Sequence, residues 1–173
     1  MRKYFLRKSQ KGATLIELLI YFALLGIILV IAVDIMLATG EFFLESASKN
    51  ELQDNARFIN ARLTYDIHRA DSITTPANLG DSSNTLILVI GTETHTYSLV
   101  GANLEYQKET RPPPTTQTAN ISSNFIEVNS LSFQRFGTTN GKHTIKITFE
   151  LEAIKSGKGG PKQKTFETVV GTR

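Results

Sequence analysis

The longest apolar stretch in the chain covers residues 18–33, which carry no charge, and it is extended by Leu15 and Ile16 on one side and by residues 35–38 on the other. A helix of that length, rising about 1.5 Å per residue, crosses the roughly 30 Å hydrocarbon core of a bilayer. Further on the pattern narrows to a stripe. Leu52, Ala56, Ile59, Leu63, Ile67 and Ala70 recur at intervals of three and four, which puts them on one helical face, while Glu45, Lys49, Asp54, Arg57, Arg62 and Arg69 fall on others. The spacing predicts one continuous helix over about 13–70, apolar all round in residues 13–40 and one-sided in 41–70, with Gly40 as a point where it could bend. Residues 71–76 end that pattern at Pro76, since proline cannot continue a helix.

From residue 71 to residue 173 the period changes to that of strands. Residues 85–90 form a short apolar run rich in branched side chains, bounded by turn-forming residues. Residues 95–100 and 103–107 flank Gly101-Ala102 and are expected to pair as a hairpin. In residues 125–136, Ile126 and Val128 share one phase while Leu131 and Phe133 take the other, which calls for a bulge near Asn129-Ser130. The clearest alternation is Ile145, Ile147, Phe149 and Leu151 against Lys146, Thr148, Glu150 and Glu152, a strand with one buried and one wet face. Asn140-Gly141 reads as the turn joining it to the preceding strand, and residues 164–170 supply a last strand. Residues 111–118, with three successive prolines, are expected to be an exposed extended loop. Residues 156–161 read as a solvated turn, since they lack the spacing and following helix of a phosphate-binding loop.

Charge changes the picture at one end only. The formal net charge is +3, from 19 Lys and Arg against 16 Asp and Glu, yet residues 1–12 contain Arg2, Lys3, Arg7, Lys8 and Lys11 and no acid. Setting those five aside leaves 14 basic and 16 acidic residues. The cations therefore mark the cytoplasmic flank of a span under the positive-inside rule rather than a nucleic-acid surface, and the chain after it is expected outside the cytoplasm. The chain has no cysteine, which excludes disulfides, thiolate metal sites and a cysteine nucleophile.

Glu17 is the one carboxylate inside the apolar segment's first turns. Thr14-Leu15-Ile16-Glu17 fits the S/T-x-x-E capping box, and an anion is favourable at a helix N-terminus. A charge in lipid still costs a few kcal/mol and tends to find a partner. With Gly12 before it and Gly26 nine residues beyond Glu17, the run Gly12-Ala13-Thr14-Leu15-Ile16-Glu17-Leu18-Leu19 resembles the class III signal of type IV pilins and type II secretion pseudopilins. Ala13 stands where phenylalanine is commoner, and Asp34 where many major pilins have proline. Leu63, Asp66, Ile67 and Ala70 are similar to the L-x-x-D-I-x-x-A helix end of J-type minor pseudopilins and W-type minor pilins, as are residues 125–133 to the core of their domains.

That resemblance implies an α+β, pilin-like fold, a long N-terminal helix packed on an antiparallel β-sheet. It implies four segments: a cleavable cationic leader at 1–12, a transmembrane half-helix at 13–40, an amphipathic half-helix at 41–70 and a β-rich domain at 71–173. A prepilin peptidase would cut between Gly12 and Ala13 and methylate the new amine of Ala13, and Glu17 would set register by pairing with that amine on a neighbouring subunit. The implied role is structural, a minor pilin or pseudopilin held in the bacterial inner membrane until it joins a filament. Its implied partners are other pilins, an assembly platform and lipid, with nucleic acid reached only through the filament. The contrasting reading is a tethered receptor or enzyme using residues 13–38 purely as an anchor.

Little else in the chain suggests chemistry. His68, His95 and His143 show no metal-ligand spacing and are read as surface or strand residues. No nucleophile elbow, calcium loop or dinucleotide fingerprint is present, so no catalytic, metal or cofactor residue is assigned. Asn120-Ile121-Ser122 matches a glycosylation sequon by three residues only.

Overall fold

The computed structural model describes residues 14–138, 141–154 and 160–172. The long helix, α1, is continuous over Leu15–Arg69 and passes through Gly40 without a break. By internal contacts the chain divides into a unit ending at Glu41 and a second unit, Phe42–Arg173. In the first, every described side chain from Thr14 to Gly40 is exposed.

Within Phe42–Arg173 the expected stripe is the buried one. Leu52, Ala56, Ile59, Leu63 and Ile67 are all buried and join a single core with the strands. The helix carries Glu17 in its first turn and His68 and Arg69 in its last, the charge order its macrodipole favours. It stops where the backbone finds other partners: the Asp71 amide donates to the Val89 carbonyl at 2.9 Å, and the Asp71 carboxylate accepts from the Gly91 amide at 2.6 Å.

Nine strands follow among the described residues: β1 (Ser72–Thr75), β2 (Ser82–Ser83), β3 (Thr85–Ile90), β4 (Glu93–Val100), β5 (Asn103–Thr110), β6 (Thr115–Asn120), β7 (Ile126–Gly137), β8 (His143–Ala153) and β9 (Lys162–Gly171). The expected antiparallel sheet is resolved into two, ordered β1-β3-β4-β5-β6 and β2-β7-β8-β9. Strand β7 of the second lies against β3, β4 and β5 of the first. Two hairpins close on two-residue loops whose first position is glycine, Gly91 at φ 58° and Gly101 at φ 62°, a backbone region that other residues enter only with strain.

The register bears out the bulge, because pairing of β7 with β8 shifts between Val128 and Ser130. That shift lets Ile126 and Val128, then Leu131 and Phe133, all point inward. Strand β8 buries Ile145, Ile147, Phe149, Leu151 and Ala153 and leaves the alternate residues half-exposed. Strands β7 and β8 pair as expected, from Gly137 opposite His143 onward, although Asn140 of the proposed turn lies outside the described residues. The loop expected over 111–118 is corrected: from Thr115 the chain forms β6 on the edge of β5, with Thr110 opposite Thr115. The prolines stop at Pro114, and the following threonines keep their amides and favour extended backbone.

Candidate assembly site at the helix N-terminus

Glu17 sits at the third position of α1, with Thr14 as the residue before the first turn. The Glu17 amide donates to Thr14 Oγ1 at 3.3 Å, and the Thr14 amide donates to Glu17 Oε2 at 3.4 Å. These are the two reciprocal bonds of a capping box, at the long end of useful hydrogen-bond distances. The second carboxylate oxygen, Oε1, accepts from the Tyr21 hydroxyl at 3.1 Å. Tyr21 lies one turn on from Glu17, at the i, i+4 spacing that brings side chains together on a helix, and that spacing is the only sequence signal for this contact. Both Glu17 oxygens thus have a partner inside the chain, and both lie on an exposed surface. A cation approaching from outside would compete with two long, solvent-accessible bonds.

The side chains around it are apolar and uncovered. Ile16, Leu18, Leu19, Ile20, Phe22 and their successors through Leu37 are exposed, and α1 is long and apolar enough to cross a membrane. Water is an unfavourable surrounding for so much hydrocarbon, at about 25 cal/mol per Å². The surface therefore suits lipid or other apolar helices. Asp34, 17 positions beyond Glu17, is exposed on the same helix. Gly12 and Ala13, the residues of the expected scissile bond and methylated amine, lie outside the described residues.

The second unit contains a polar cluster that the sequence did not disclose. Asp66 is fully buried, and its Oδ2 accepts a short hydrogen bond from the Tyr97 hydroxyl. Arg62 Nε lies 3.3 Å and His95 Nδ1 3.4 Å from the same oxygen. His95, read as a surface or strand residue, is on β4 but buried, with its Nδ1 also 2.9 Å from the Tyr106 hydroxyl and its Nε2 3.3 Å from Glu93 Oε2. Lys108 Nζ closes the chain 2.6 Å from Glu93 Oε1, and the Arg62 guanidinium stands 4.7 Å over the Tyr106 ring. Burial and the Asp66 carboxylate push the Tyr97 hydroxyl far above its usual range. The cluster joins the last turns of α1 to β4 and β5 and holds no group of residues able to ligate a metal among those described. The Asn120 triplet is a local turn instead of an open sequon: Asn120 Oδ1 accepts from both the amide and the hydroxyl of buried Ser122.

Hydrogen bonding to Lys108 lowers the Glu93 pKa, and hydrogen bonding to Lys49 and Lys162 lowers that of Glu45, both from 4.5. A carboxylate whose folded pKa is depressed binds fewer protons folded than unfolded, so stability rises with pH through that range. The thermal midpoint of the domain is expected to hold above the ordinary carboxylate pKa and to fall as pH drops below it. A Glu93→Gln, Glu45→Gln double variant should show a shallower fall in melts run across that window.

Known proteins speak to one end of the chain. Residues 7–33 match the family model for the prokaryotic N-terminal methylation motif. The match takes in the end of the basic flank from Arg7, the expected Gly12 to Ala13 junction, Glu17 and most of the apolar helix, and it supports a prepilin-type signal of the type IV pilin kind. No curated protein and no solved structure matches the chain. The strands of Phe42–Arg173 and their buried cluster lie beyond the matched residues.

Proposed function

We propose that the chain is a minor pilin or pseudopilin, a non-enzymatic structural subunit that joins a type IV pilus or a type II secretion pseudopilus after maturation. The observation that carries this reading is the coincidence of the methylation-motif match at residues 7–33 with an apolar helix that has no cover of its own and a capped, exposed Glu17. A simple anchor accounts for the helix, and local capping for part of Glu17, but neither gives a reason for Gly12 or for the cationic residues before it. In this reading a prepilin peptidase removes residues 1–12 and methylates Ala13. The chain resides in the bacterial inner membrane with its N-terminus cytoplasmic and Phe42–Arg173 outside, held there with other pilins and an assembly platform. The apolar half-helix then exchanges lipid for neighbouring helices, and Glu17 sets the register of entry. Resemblance in the helix end favours the J-type or W-type minor subunits within the class.

Co-expression with a prepilin peptidase tests the proposal. Intact-mass measurement is expected to show loss of residues 1–12 and a methyl group on Ala13, and replacement of Gly12 by a bulky residue should leave the leader in place. An intact N-terminus in the presence of an active peptidase would return residues 13–38 to the role of anchor only.

A further inference from the structure

One face of Phe42–Arg173 combines uncovered apolar side chains with cations. The register sets Ile126 opposite Ala153 and Ala153 opposite Lys162, so the start of β7, the end of β8 and the start of β9 lie side by side. Ile154 is 52% exposed at this edge, and its amide donates to the carbonyl of Phe125, itself 46% exposed, at 3.0 Å. From the same edge Lys162 Nζ reaches Glu45 Oε1 at 3.2 Å, and Lys49 Nζ binds that oxygen at 3.1 Å. Lys49, Lys162 and Lys164 surround a shallow recess of about 200 Å³ floored by Leu52. Immediately before Glu45 on the helix come Phe42, Phe43 and Leu44, at 71%, 72% and 55% exposed.

Two ammonium groups, those of Lys49 and Lys162, therefore share a single carboxylate, with Lys164 on the rim of the same recess and its Nζ 5.3 Å over the Phe166 ring, next to large apolar side chains on both the helix and the strand ends. An aqueous surface has no use for that pairing. At a bilayer surface each half has a counterpart, since apolar side chains enter the boundary between headgroups and acyl chains while lysine stems let the ammonium groups stay at phosphate level. The position in the chain fits as well, because residues 42–49 directly follow the apolar segment.

We propose that this face docks on the headgroups of anionic phospholipids, with Lys49, Lys162 and Lys164 meeting lipid phosphates and Phe42, Phe43, Leu44 and Ile154 entering the interfacial layer. The inference rests on the reading of the N-terminal half of α1 as a membrane span. It gives the membrane-held subunit a second attachment besides the span, one that must be released when the subunit leaves the bilayer.

The absence of cysteine from the chain makes site-specific labelling direct. Full-length protein carrying an environment-sensitive fluorophore at Ile154→Cys is reconstituted in nanodiscs of phosphatidylcholine, with or without phosphatidylglycerol. Matching labels are placed at Val30→Cys in the apolar helix and at Thr118→Cys on β6. In anionic discs the Ile154 label should shift to the blue and be quenched by lipid spin-labelled near the headgroup, while the Thr118 label stays aqueous. Contact should weaken about fivefold for each lysine replaced by glutamine, and be lost in the K49Q/K162Q/K164Q variant, in high salt and in phosphatidylcholine alone. An aqueous Ile154 label in anionic discs, or contact that is equal in both lipids, would overturn the proposal, as would contact unchanged in a triple variant whose thermal melt matches the parent. The Val30 label separates the two readings. If it is quenched by acyl-chain spin labels while Ile154 stays aqueous, only the docking face fails; if it too stays aqueous, the spanning helix fails with it.

Discussion

Replacing Asp66 with alanine is expected to destabilise Phe42–Arg173 by about 3–5 kcal/mol, the usual cost of removing one partner from a buried charge pair. The size follows from what remains. Asp66 Oδ2 is the common acceptor for the Tyr97 hydroxyl, Arg62 Nε and His95 Nδ1, and Tyr97 and His95 are themselves buried. Without the carboxylate the Tyr97 hydroxyl has no acceptor there, and an unsatisfied buried hydroxyl alone costs about 1–3 kcal/mol. The Arg62 side chain, 36% exposed, can recover some water, which moves the expectation toward the lower end of the range. In a detergent-solubilised chain the thermal midpoint should fall by about 10 to 20 °C. Tyr97→Phe should cost less, because it removes the donor together with the need for an acceptor, and Asp66→Ala with Tyr97→Phe should cost less than the two singles added. Strict additivity of the pair, measured by a double-mutant cycle, would show that the two side chains do not act together.

The same cluster marks where sequence reading stops. Leu63, Asp66, Ile67 and Ala70 stood out as a helix-end pattern, and all four are buried. Three are apolar and lie on the predicted stripe, so their burial was legible from spacing. Asp66 lies between them on the same face, and what makes its burial tolerable comes from β4 and β5, with Tyr97 31 residues away in the chain. No local pattern encodes a contact of that range. His95 illustrates the converse: its place in a strand was legible, but a strand has two faces, and only the pairing of β4 with β5, which sets His95 opposite Lys108, fixes which face turns inward.

Edges were harder to read than centres for a related reason. Strand β8 has partners on both sides and a strict alternation, so period and burial agree and the strand can be found from its alternation alone. Strands β1, β2, β6 and β9 lie at sheet edges, and of these only β9, the longest, was expected from its residues. The exposed β6 has no apolar alternation to betray it, being six polar or small residues with none buried. It exists because the β5 backbone offers donors and acceptors, a property that belongs to the neighbour and not to residues 115–120. By contrast α1 was legible over nearly its whole length, since both the all-round apolar half and the striped half repeat a signal for many turns.

Glu17→Ala is expected to leave the chain membrane-inserted and the domain folded while blocking its incorporation into filaments. Insertion should if anything improve, because a carboxylate within a spanning helix is costly, up to about 3 kcal/mol near the bilayer centre and less toward its ends. The alanine variant cannot by itself separate charge from capping, since Glu17 also takes the Thr14 amide and the Tyr21 hydroxyl. Glu17→Gln makes that separation, because glutamine serves equally at the third position of a capping box but carries no charge. If Glu17 pairs with the amine of Ala13 in a neighbouring subunit, the glutamine variant should fail to incorporate almost as completely as the alanine one, in an assay that counts subunits in sheared filaments. Tyr21→Phe sharpens the comparison, since it frees Oε1 from its intrachain donor and should preserve or raise incorporation. Normal incorporation of the glutamine variant would leave Glu17 as a helix cap alone, and the register of the assembled subunits would then have to come from the shape of the apolar helix surface.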